Sequence, residues 1–81
     1  MSFKIVFSTR AIHYLQRADK QVKIEILKKL QQLPESPELG KPLTNKLKGC
    51  YKLRVGKYRI IYTIDNRIVN ITKIGHRKDV Y

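Results

Sequence analysis

The side chains best suited to chemistry on a phosphate group lie in the second half of the chain. They are four cations, one imidazole and one phenol: Lys52, Arg54, Arg59, Arg77, His76 and Tyr81. A guanidinium group can hold two phosphate oxygens at once through its planar fork. An imidazole can accept or release a proton near neutral pH. The set indicates chemistry on an anionic ligand that contains phosphate.

The sequence offers little support for metal or nucleophilic catalysis. Its two histidines, His13 and His76, are isolated, and its carboxylates are scattered without metal-ligand spacing. No nucleophile motif and no glycine-rich phosphate loop is present. Cys50 is the only cysteine, which excludes an internal disulfide, and we interpret it as a packing residue. We therefore expect neither a metal ion nor a cofactor.

An RNA phosphodiester suits such a set because RNA carries its own nucleophile, the 2′-hydroxyl group. The protein then needs to deprotonate that hydroxyl, stabilise the charge on the phosphorane and protonate the leaving 5′-oxygen. Arginine suits the second task. The base is either His76, kept neutral by neighbouring cations, or Tyr81, ionised by them; Tyr81 could equally stack on a nucleobase. Residue types alone do not decide between these roles.

The charge of the chain is strongly positive and unevenly distributed. Among its 81 residues, 18 are Lys or Arg and 6 are Asp or Glu, which gives a formal net charge of +12. Eleven of the basic residues but only two of the acidic ones follow Gly40. Such an excess favours nucleic acid, an anionic surface or an acidic protein as the partner. The length allows one domain with an open surface site, and the absence of an apolar span or signal pattern predicts a cytoplasmic protein with no membrane contact.

A β-hairpin is the most strongly patterned element. Tyr51, Leu53 and Val55 alternate with cations, and Gly56-Lys57 supplies a two-residue turn before the next strand. This turn predicts that Val55 pairs with Tyr58, Arg54 with Arg59 and Leu53 with Ile60. Two arginines then face each other, which costs a few tenths to about 1 kcal/mol. The interpretations are a bound anion or an ordinary solvated basic face.

The remaining elements are predicted from periodicity and from turn residues. They are a first strand over residues 3–7, a helix capped by Ser8 or Thr9 and running to Ala18, a second helix from Lys20 to about Leu33 capped by Asp19, a proline-rich loop from Pro34 to Pro42 anchored by Leu39 and Leu43, a turn at Asp65-Asn66 and a last strand from Ile68 to Ile74.

The register of the last strand is less well defined by the pattern. With a two-residue turn at Asp65-Asn66, Ile60 and Tyr62 meet Ile71 and Val69. The isoleucines Ile61, Ile68 and Ile74 then fall on the basic side of the sheet. Either an apolar floor lies beside the arginines, or the turn is longer and the register shifts by one residue.

The chain resembles a known family in two segments. Residues 46–62 contain the core Tyr-Arg-Ile-Ile-Tyr, and residues 75–81 read Gly-His-Arg-Lys-Asp-Val-Tyr; together they resemble the RelE toxins of the RelE/ParE toxin-antitoxin superfamily. The resemblance implies an α+β fold of order β-α-α-β-β-β, with a small twisted antiparallel sheet against an N-terminal helical hairpin. It also implies metal-independent, ribosome-dependent cleavage of mRNA in the A site. The implied partners are the ribosome with its mRNA and an acidic antitoxin that wraps the helices and sheet, with operator DNA reached only through the antitoxin.

The same resemblance assigns roles to residues of this sequence. Lys52 and Arg54 match basic positions of the first hairpin strand, and Arg59, Arg77 and Tyr81 match the other catalytic positions. Some relatives have lysine where His76 stands, so the base is Tyr81 or His76. We also expect the neighbouring lysines to bind RNA phosphates: Lys46, Lys48, Lys57, Lys73 and Lys78.

Two alternative functions remain open. One is a non-enzymatic inhibitor of DNA gyrase like the ParE branch of the superfamily, which shares the fold and lacks the basic catalytic set. The other is a module whose basic face only holds RNA phosphates on the ribosome. The presence of Lys52, Arg54, Arg59 and Arg77 together favours the nuclease.

Overall fold

A computed structural model describes residues 3–43 and 49–79 of the chain. In these ranges the elements are β1 (Lys4–Phe7), α1 (Thr9–Arg17), α2 (Lys20–Leu30), β2 (Lys41–Pro42), β3 (Cys50–Val55), β4 (Tyr58–Asp65) and β5 (Ile68–His76). The strands form one sheet in the order β1-β5-β4-β3-β2, and residues of both helices pack into the core on one face of it. The predicted α+β fold with an N-terminal helical hairpin is confirmed.

The sheet is mixed rather than wholly antiparallel. β1 runs parallel to β5, with Lys4 beside Ile68 and Phe7 beside Ile71, whereas the other neighbouring pairs are antiparallel. Parallel neighbouring strands must be joined by a long connection, and the connection from β1 to β5 begins with the two helices. β2 is a further addition, because the prediction gave all of Pro34 to Pro42 to a loop.

The helix starts follow the predicted positions, but only one has the predicted cap. Ser8 caps α1: its Oγ accepts a hydrogen bond from the N–H of Ala11 at 3.0 Å. Asp19 occupies the N-cap position of α2, yet its carboxylate makes no capping hydrogen bond. Its main-chain carbonyl instead accepts from the N–H of Lys23 at 2.9 Å. The predicted side-chain cap at Asp19 is therefore wrong.

The core lies between the helices and the sheet. α2 ends at Leu30, three residues before the predicted end, and the chain continues in tighter turns with Leu33 N–H bonded to Leu30 O at 3.0 Å. Leu33 is still fully buried, as the apolar stripe requires. The largest fully buried side chains come from α2, the turn after it and the two central strands: Ile26, Leu30, Leu33, Ile60, Tyr62, Val69 and Ile71.

The β3–β4 hairpin has the predicted register. Val55 pairs with Tyr58, Arg54 with Arg59 and Leu53 with Ile60. Gly56 adopts φ +58° and Lys57 does not adopt a positive φ, as a turn of type II′ requires. Leu53 and Ile60 consequently face the core, and the two arginines face the opposite side of the sheet.

The β4–β5 hairpin differs from the prediction in its turn and its register. The turn residues are Asn66 and Arg67, because Asp65 still pairs with Ile68. A register shift beside Ile61 leaves Thr72 as an extra residue, and its Oγ1 donates to Ile61 O at 3.1 Å. The bulge moves Ile74 to the core face, where it is 4% exposed. The sequence left two outcomes open for Ile61, Ile68 and Ile74: an apolar floor or a shifted register. At Ile74 the shifted register is observed.

Tyr62 anchors the proline-rich loop, a role that the prediction gave to leucines. Its buried hydroxyl donates to Pro37 O at 2.8 Å and accepts from Gly40 N–H at 2.9 Å. Leu39 is 40% exposed and so does not serve as the predicted anchor. A methyl group on Gly40 would lie 2.8 Å from Lys52 O, so glycine permits this close approach.

Arg67→Gly tests the strain in the β4–β5 turn. Asn66 and Arg67 have φ of 48° and 63°. Asparagine tolerates this left-handed region well, whereas arginine does not. Glycine removes a strain of roughly 1–2 kcal/mol and costs about 0.5–1 kcal/mol of unfolded-state entropy. We expect the free energy of unfolding in urea to rise by about 0.5–1 kcal/mol.

Lys57→Gly is the matched control, because Lys57 holds the second position of the other hairpin turn without a positive φ. Its free energy of unfolding should stay level or fall, since glycine relieves no strain there. An equal gain in both variants, or a loss in Arg67→Gly, would show that the backbone of Arg67 stores no strain.

Candidate functional site

The sheet face opposite the helices gathers basic side chains from four strands. We call it the basic face and define it by Lys41, Lys52, Arg54, Arg59 and Lys73. Lys41 pairs with Lys52, Lys52 with Ile61, and Ile61 with Lys73, so one row crosses the sheet from β2 to β5. Ile61 is 6% exposed within this row. The apolar floor considered from the sequence therefore exists at Ile61.

A second row runs alongside the first. Arg54 pairs with Arg59, and Arg59 pairs with Gly75 of β5. Directly opposed residues in antiparallel strands have Cα atoms about 4.5–5.5 Å apart. Two guanidinium groups thus start from neighbouring positions on one face, and their repulsion favours binding of an anion between them.

The guanidinium group of Arg59 is held by the hairpin turn. Its Nη1 donates to Gly56 O and to Tyr58 O, both at 2.9 Å. A guanidinium group has five N–H donors, so these two bonds orient the group and leave donors on its other edge for a ligand. The half-buried position of Arg59 reduces the side-chain entropy that a ligand must overcome.

Arg77 lies beside the same turn. Its main-chain N–H donates to Lys57 O at 2.8 Å, which ties the segment after β5 to the β3–β4 hairpin. Arg77, Lys57 and Lys78 are all exposed. The main chain of Arg77 therefore lies beside the turn whose carbonyl groups hold Arg59.

His76 lies on the other face of the sheet from the two arginines. It pairs with Tyr58, whose ring packs against the core, and the two rings meet edge to face at 5.8 Å. The Nδ1 atom of His76 accepts from Lys78 N–H at 3.2 Å, which places the proton of the neutral ring on Nε2. The imidazole therefore lies away from a ligand on the basic face, and its Nδ1 already accepts a hydrogen bond.

Three predicted site residues lie outside the described residues: Lys46, Lys48 and Tyr81. Their roles stay predictions. Of the other predicted cations, Lys52, Arg54, Arg59 and Lys73 share the basic face, and Lys57, Arg77 and Lys78 surround its turn end.

Lys41 is the member of the basic face that the sequence did not indicate. It lies in a strand of two residues, too short to show any periodicity, within a segment rich in proline. The structural role of Tyr62 was also missed. A tyrosine at a core position of a strand was the available signal, since a buried phenol hydroxyl needs a hydrogen-bond partner.

Metal-ligand groups and membrane-spanning helices are two other features that bear on function in residues 3–43 and 49–79. This part of the chain contains no group of three or more His, Cys, Asp and Glu side chains arranged to hold a metal ion. It also contains no helix that is long and apolar enough to span a membrane.

Comparison with known proteins defines the class. Residues 5–81 match the family model of the ParE toxin of the type II toxin-antitoxin system parDE. Toxin RelG of Mycobacterium tuberculosis is 31% identical over 85 aligned positions that cover 100% of this chain and 98% of RelG. The mRNA interferase toxin RelE of Escherichia coli is 33% identical, over 96% of this chain and 86% of that protein.

Solved structures agree with these relatives. The crystal structure of the toxin-antitoxin complex RelBE2 from M. tuberculosis contains a chain that superposes with a TM-score of 0.86 at 28% identity, over 95% of this chain and 100% of that one. Isolated E. coli RelE superposes with a TM-score of 0.79 at 25% identity, over 93% and 84% of the two chains. The protein is a toxin of the type II toxin-antitoxin class. Within that class, the chain belongs to the RelE toxin family of the RelE/ParE superfamily.

Tyr62→Phe tests the hydroxyl that anchors the proline-rich loop. The change leaves the buried N–H of Gly40 without its partner, so we expect the free energy of unfolding to fall by about 1–3 kcal/mol. Tyr51→Phe is the control, because Tyr51 stacks on Tyr62 at 5.3 Å but is only half-buried. Equal losses in the two variants would contradict the anchoring role.

The same hydroxyl predicts a pH effect. Burial raises the pKa of Tyr62 above its ordinary value of 10.0. The folded state therefore keeps the phenol proton to higher pH than the unfolded state, and stability that is complete below about pH 10 is lost as the pH rises further. Urea unfolding between pH 9 and 11 should show a smaller loss in Tyr62→Phe than in the wild type.

Proposed function

We propose that this toxin is a metal-independent endoribonuclease that cuts mRNA in the ribosomal A site. The pairing of Arg54 with Arg59, in the row next to Lys52 and Lys73 on one sheet face, is the observation that supports it most. A phosphorane carries more negative charge than the phosphodiester from which it forms, so guanidinium groups held in advance stabilise it selectively. The names of two relatives, both mRNA interferases called RelE, agree with this activity.

The roles follow from position and chemistry. Arg59, oriented by the turn carbonyls, and Arg77, tied to the same turn, stabilise the phosphorane. Lys52 and Arg54 bind the phosphate oxygens and hold the strand against the sheet. The 2′-hydroxyl loses its proton to the base and attacks the adjacent phosphorus, the bond to the 5′-oxygen breaks to leave a 2′,3′-cyclic phosphate, and the leaving oxygen takes a proton from water.

The base is assigned to Tyr81. The helix-side position of His76 and the hydrogen bond to its Nδ1 both favour Tyr81, which follows Arg77 by four residues. Arg77 and Lys78 precede Tyr81 closely in the sequence, and a cation near a phenol favours the phenolate form that can accept the proton of the 2′-hydroxyl.

The open shape of the basic face is the reason for dependence on the ribosome. Lys41 and Arg54 of the basic face are exposed, so groups that react there lie in water, where charge stabilisation is weak. The A site of a ribosome supplies the second wall, excludes water and holds the mRNA in one conformation. The free toxin then cleaves RNA slowly, and the toxin acts in the cytoplasm on translating ribosomes.

The partner that neutralises the toxin is an acidic antitoxin, and operator DNA is bound only through it. The solved relatives include the toxin-antitoxin complexes RelBE2 of M. tuberculosis and RelBE of E. coli. In this chain, a cavity of about 380 Å³ beside α1 is lined by Arg10, His13, Tyr14 and Arg17. Tyr14, Ala18 and Ile74 supply the apolar part of the same lining. Cations next to apolar groups suit an acidic amphipathic segment.

A ParE-like inhibitor of DNA gyrase is the second candidate function. The description of the matching family model, a ParE toxin, is the observation in its favour. That branch needs no phosphorane-stabilising cations, so the effect of removing them distinguishes the two candidates.

Arg59→Ala and Arg77→Ala test the nuclease. Each variant should keep the fold, because neither side chain belongs to the core. Loss of one charge-stabilising donor lowers the rate of cleavage roughly 100-fold to 1,000-fold. We expect codon-positioned 5′ ends on mRNA in a translating extract with the wild type, and their near absence with either variant.

Arg67→Gly is the control with the same change of charge, since Arg67 lies in the turn at the opposite end of β4. It should cut as the wild type does. Circular dichroism checks that all variants are folded. Intact mRNA together with inhibition of gyrase supercoiling would transfer the proposal to the ParE-like function, and equal cutting by Arg59→Ala would remove the basic face from the mechanism.

A further inference from the structure

A small cavity lies at the outer edge of β3, beside the point where β2 stops. Its volume is about 200 Å³. Residues from α2, from the proline-rich loop with β2 and from β3 line it: Lys29, Leu39, Gly40, Lys41, Lys52, Leu53 and Arg54. The cavity therefore adjoins the basic face but extends beyond it toward the helices.

The cavity exists because the chain leaves the sheet edge at Gly40. β2 pairs only with Tyr51 and Lys52, so Leu53 and Arg54 have no neighbour in β2. The N–H of Gly40 is bound by the hydroxyl of Tyr62, which reaches it from the core side of the sheet. In a two-residue hairpin closed by Val55 and Tyr58, the main-chain N–H of Arg54 points to this outer edge.

The charges of the lining are all of one sign. Lys29, Lys41, Lys52 and Arg54 contribute four cations, and no carboxylate belongs to the lining. Lys41 lies directly opposite Lys52, an arrangement that opposes pairing of the two strands. Lys29 is only half-exposed, because it lies against the edge of the sheet. An anion bound in the cavity would relieve repulsion among these groups.

We propose that Lys29 and Lys41 hold a phosphate that flanks the scissile phosphodiester of the RNA. This inference rests on the proposed function and names a second contact for the same strand. Lys41 lies two strands away from Arg59, about 10 Å across the sheet. Arg59 does not line the cavity, and its guanidinium group is held at the turn by Gly56 O, so the phosphate in the cavity belongs to a neighbouring nucleotide.

The inference defines the path of the RNA across the sheet. The row from Lys73 over Ile61 and Lys52 to Lys41 crosses the strands, and the cavity continues it past the sheet edge. RNA carries a phosphate at every nucleotide, which matches a row of cations better than the irregular charges of a peptide. Leu39 and Leu53 offer apolar surface to the ribose beside the bound phosphate.

Binding of an uncleavable RNA tests the subsite without depending on cleavage. The probe is a single-stranded RNA of roughly 12 nucleotides with 2′-O-methyl groups throughout, and the reading is fluorescence anisotropy across a salt series. For single strands, the slope of log K against log salt is about −0.7 per neutralised phosphate. We expect the double variant Lys29→Ala, Lys41→Ala to lower the magnitude of the slope by roughly 0.7, with each single variant between it and the wild type.

The matched control is the double variant Lys20→Ala, Lys28→Ala. It makes the same change of net charge on α2 with two exposed lysines that do not line the cavity. Its slope should equal that of the wild type. Equal slopes for the two double variants would overturn the subsite. It would also be overturned if the cavity variant, Lys29→Ala with Lys41→Ala, lost affinity for an acidic antitoxin peptide while its slope with RNA stayed unchanged.

Shortening the probe tests the placement at one end of the strand. Removing nucleotides from one end should erase the difference between the cavity variant and the wild type, and removing them from the other end should preserve it. A difference that survives shortening from both ends would place Lys29 and Lys41 on the central phosphates and overturn the flanking site. If the slope changes as expected but no mRNA is cut in the translating extract, the cavity binds an RNA phosphate and the proposed nuclease activity is wrong.

Discussion

The two-residue turn at Gly56 and Lys57 is the constraint on which the rest of the structure depends. It sets which residues of β3 and β4 face the helices and which face away. A slip of one residue would expose Leu53 and Ile60, each worth about 1.5–3 kcal/mol when buried. The repulsion between Arg54 and Arg59 costs at most about 1 kcal/mol. Core burial therefore wins, and it forces two like charges together on the basic face.

The hairpin could be predicted because two independent signals agree at it. The alternation from Tyr51 to Val55 defines the faces, and a glycine in the first turn position defines the register. The β4–β5 hairpin lacked this agreement. Its turn uses Arg67 at a positive φ, which no propensity favours, and the bulge at Thr72 changes the alternation within the strand. The apolar positions Val69, Ile71 and Ile74 show the break, since their spacing changes from two to three.

The candidate site was predicted in part, for the same reason. Lys52, Arg54 and Arg59 lie in regularly alternating segments, so their common face followed from the pattern. His76 lies beyond the bulge, which places it with Tyr58 on the helix side. Lys41 reaches the basic face because the loop before it is bonded to Tyr62, which lies 22 positions after Gly40 in the chain. Contacts of this kind depend on the packed structure, and no local pattern in the sequence records them.

The place of β5 between β1 and β4 has a consequence for biosynthesis. β1 pairs with β5 alone, and Ser8, the cap of α1, donates through its Oγ to Thr72 O at 3.0 Å. The first strand and first helix to leave the ribosome thus have no sheet to join until β5 has been made. Since such non-local pairing forms slowly, the sheet assembles only after β5 has been translated. A nascent chain that lacks β5 therefore has neither the core side chains Val69, Ile71 and Ile74 nor Lys73 of the basic face.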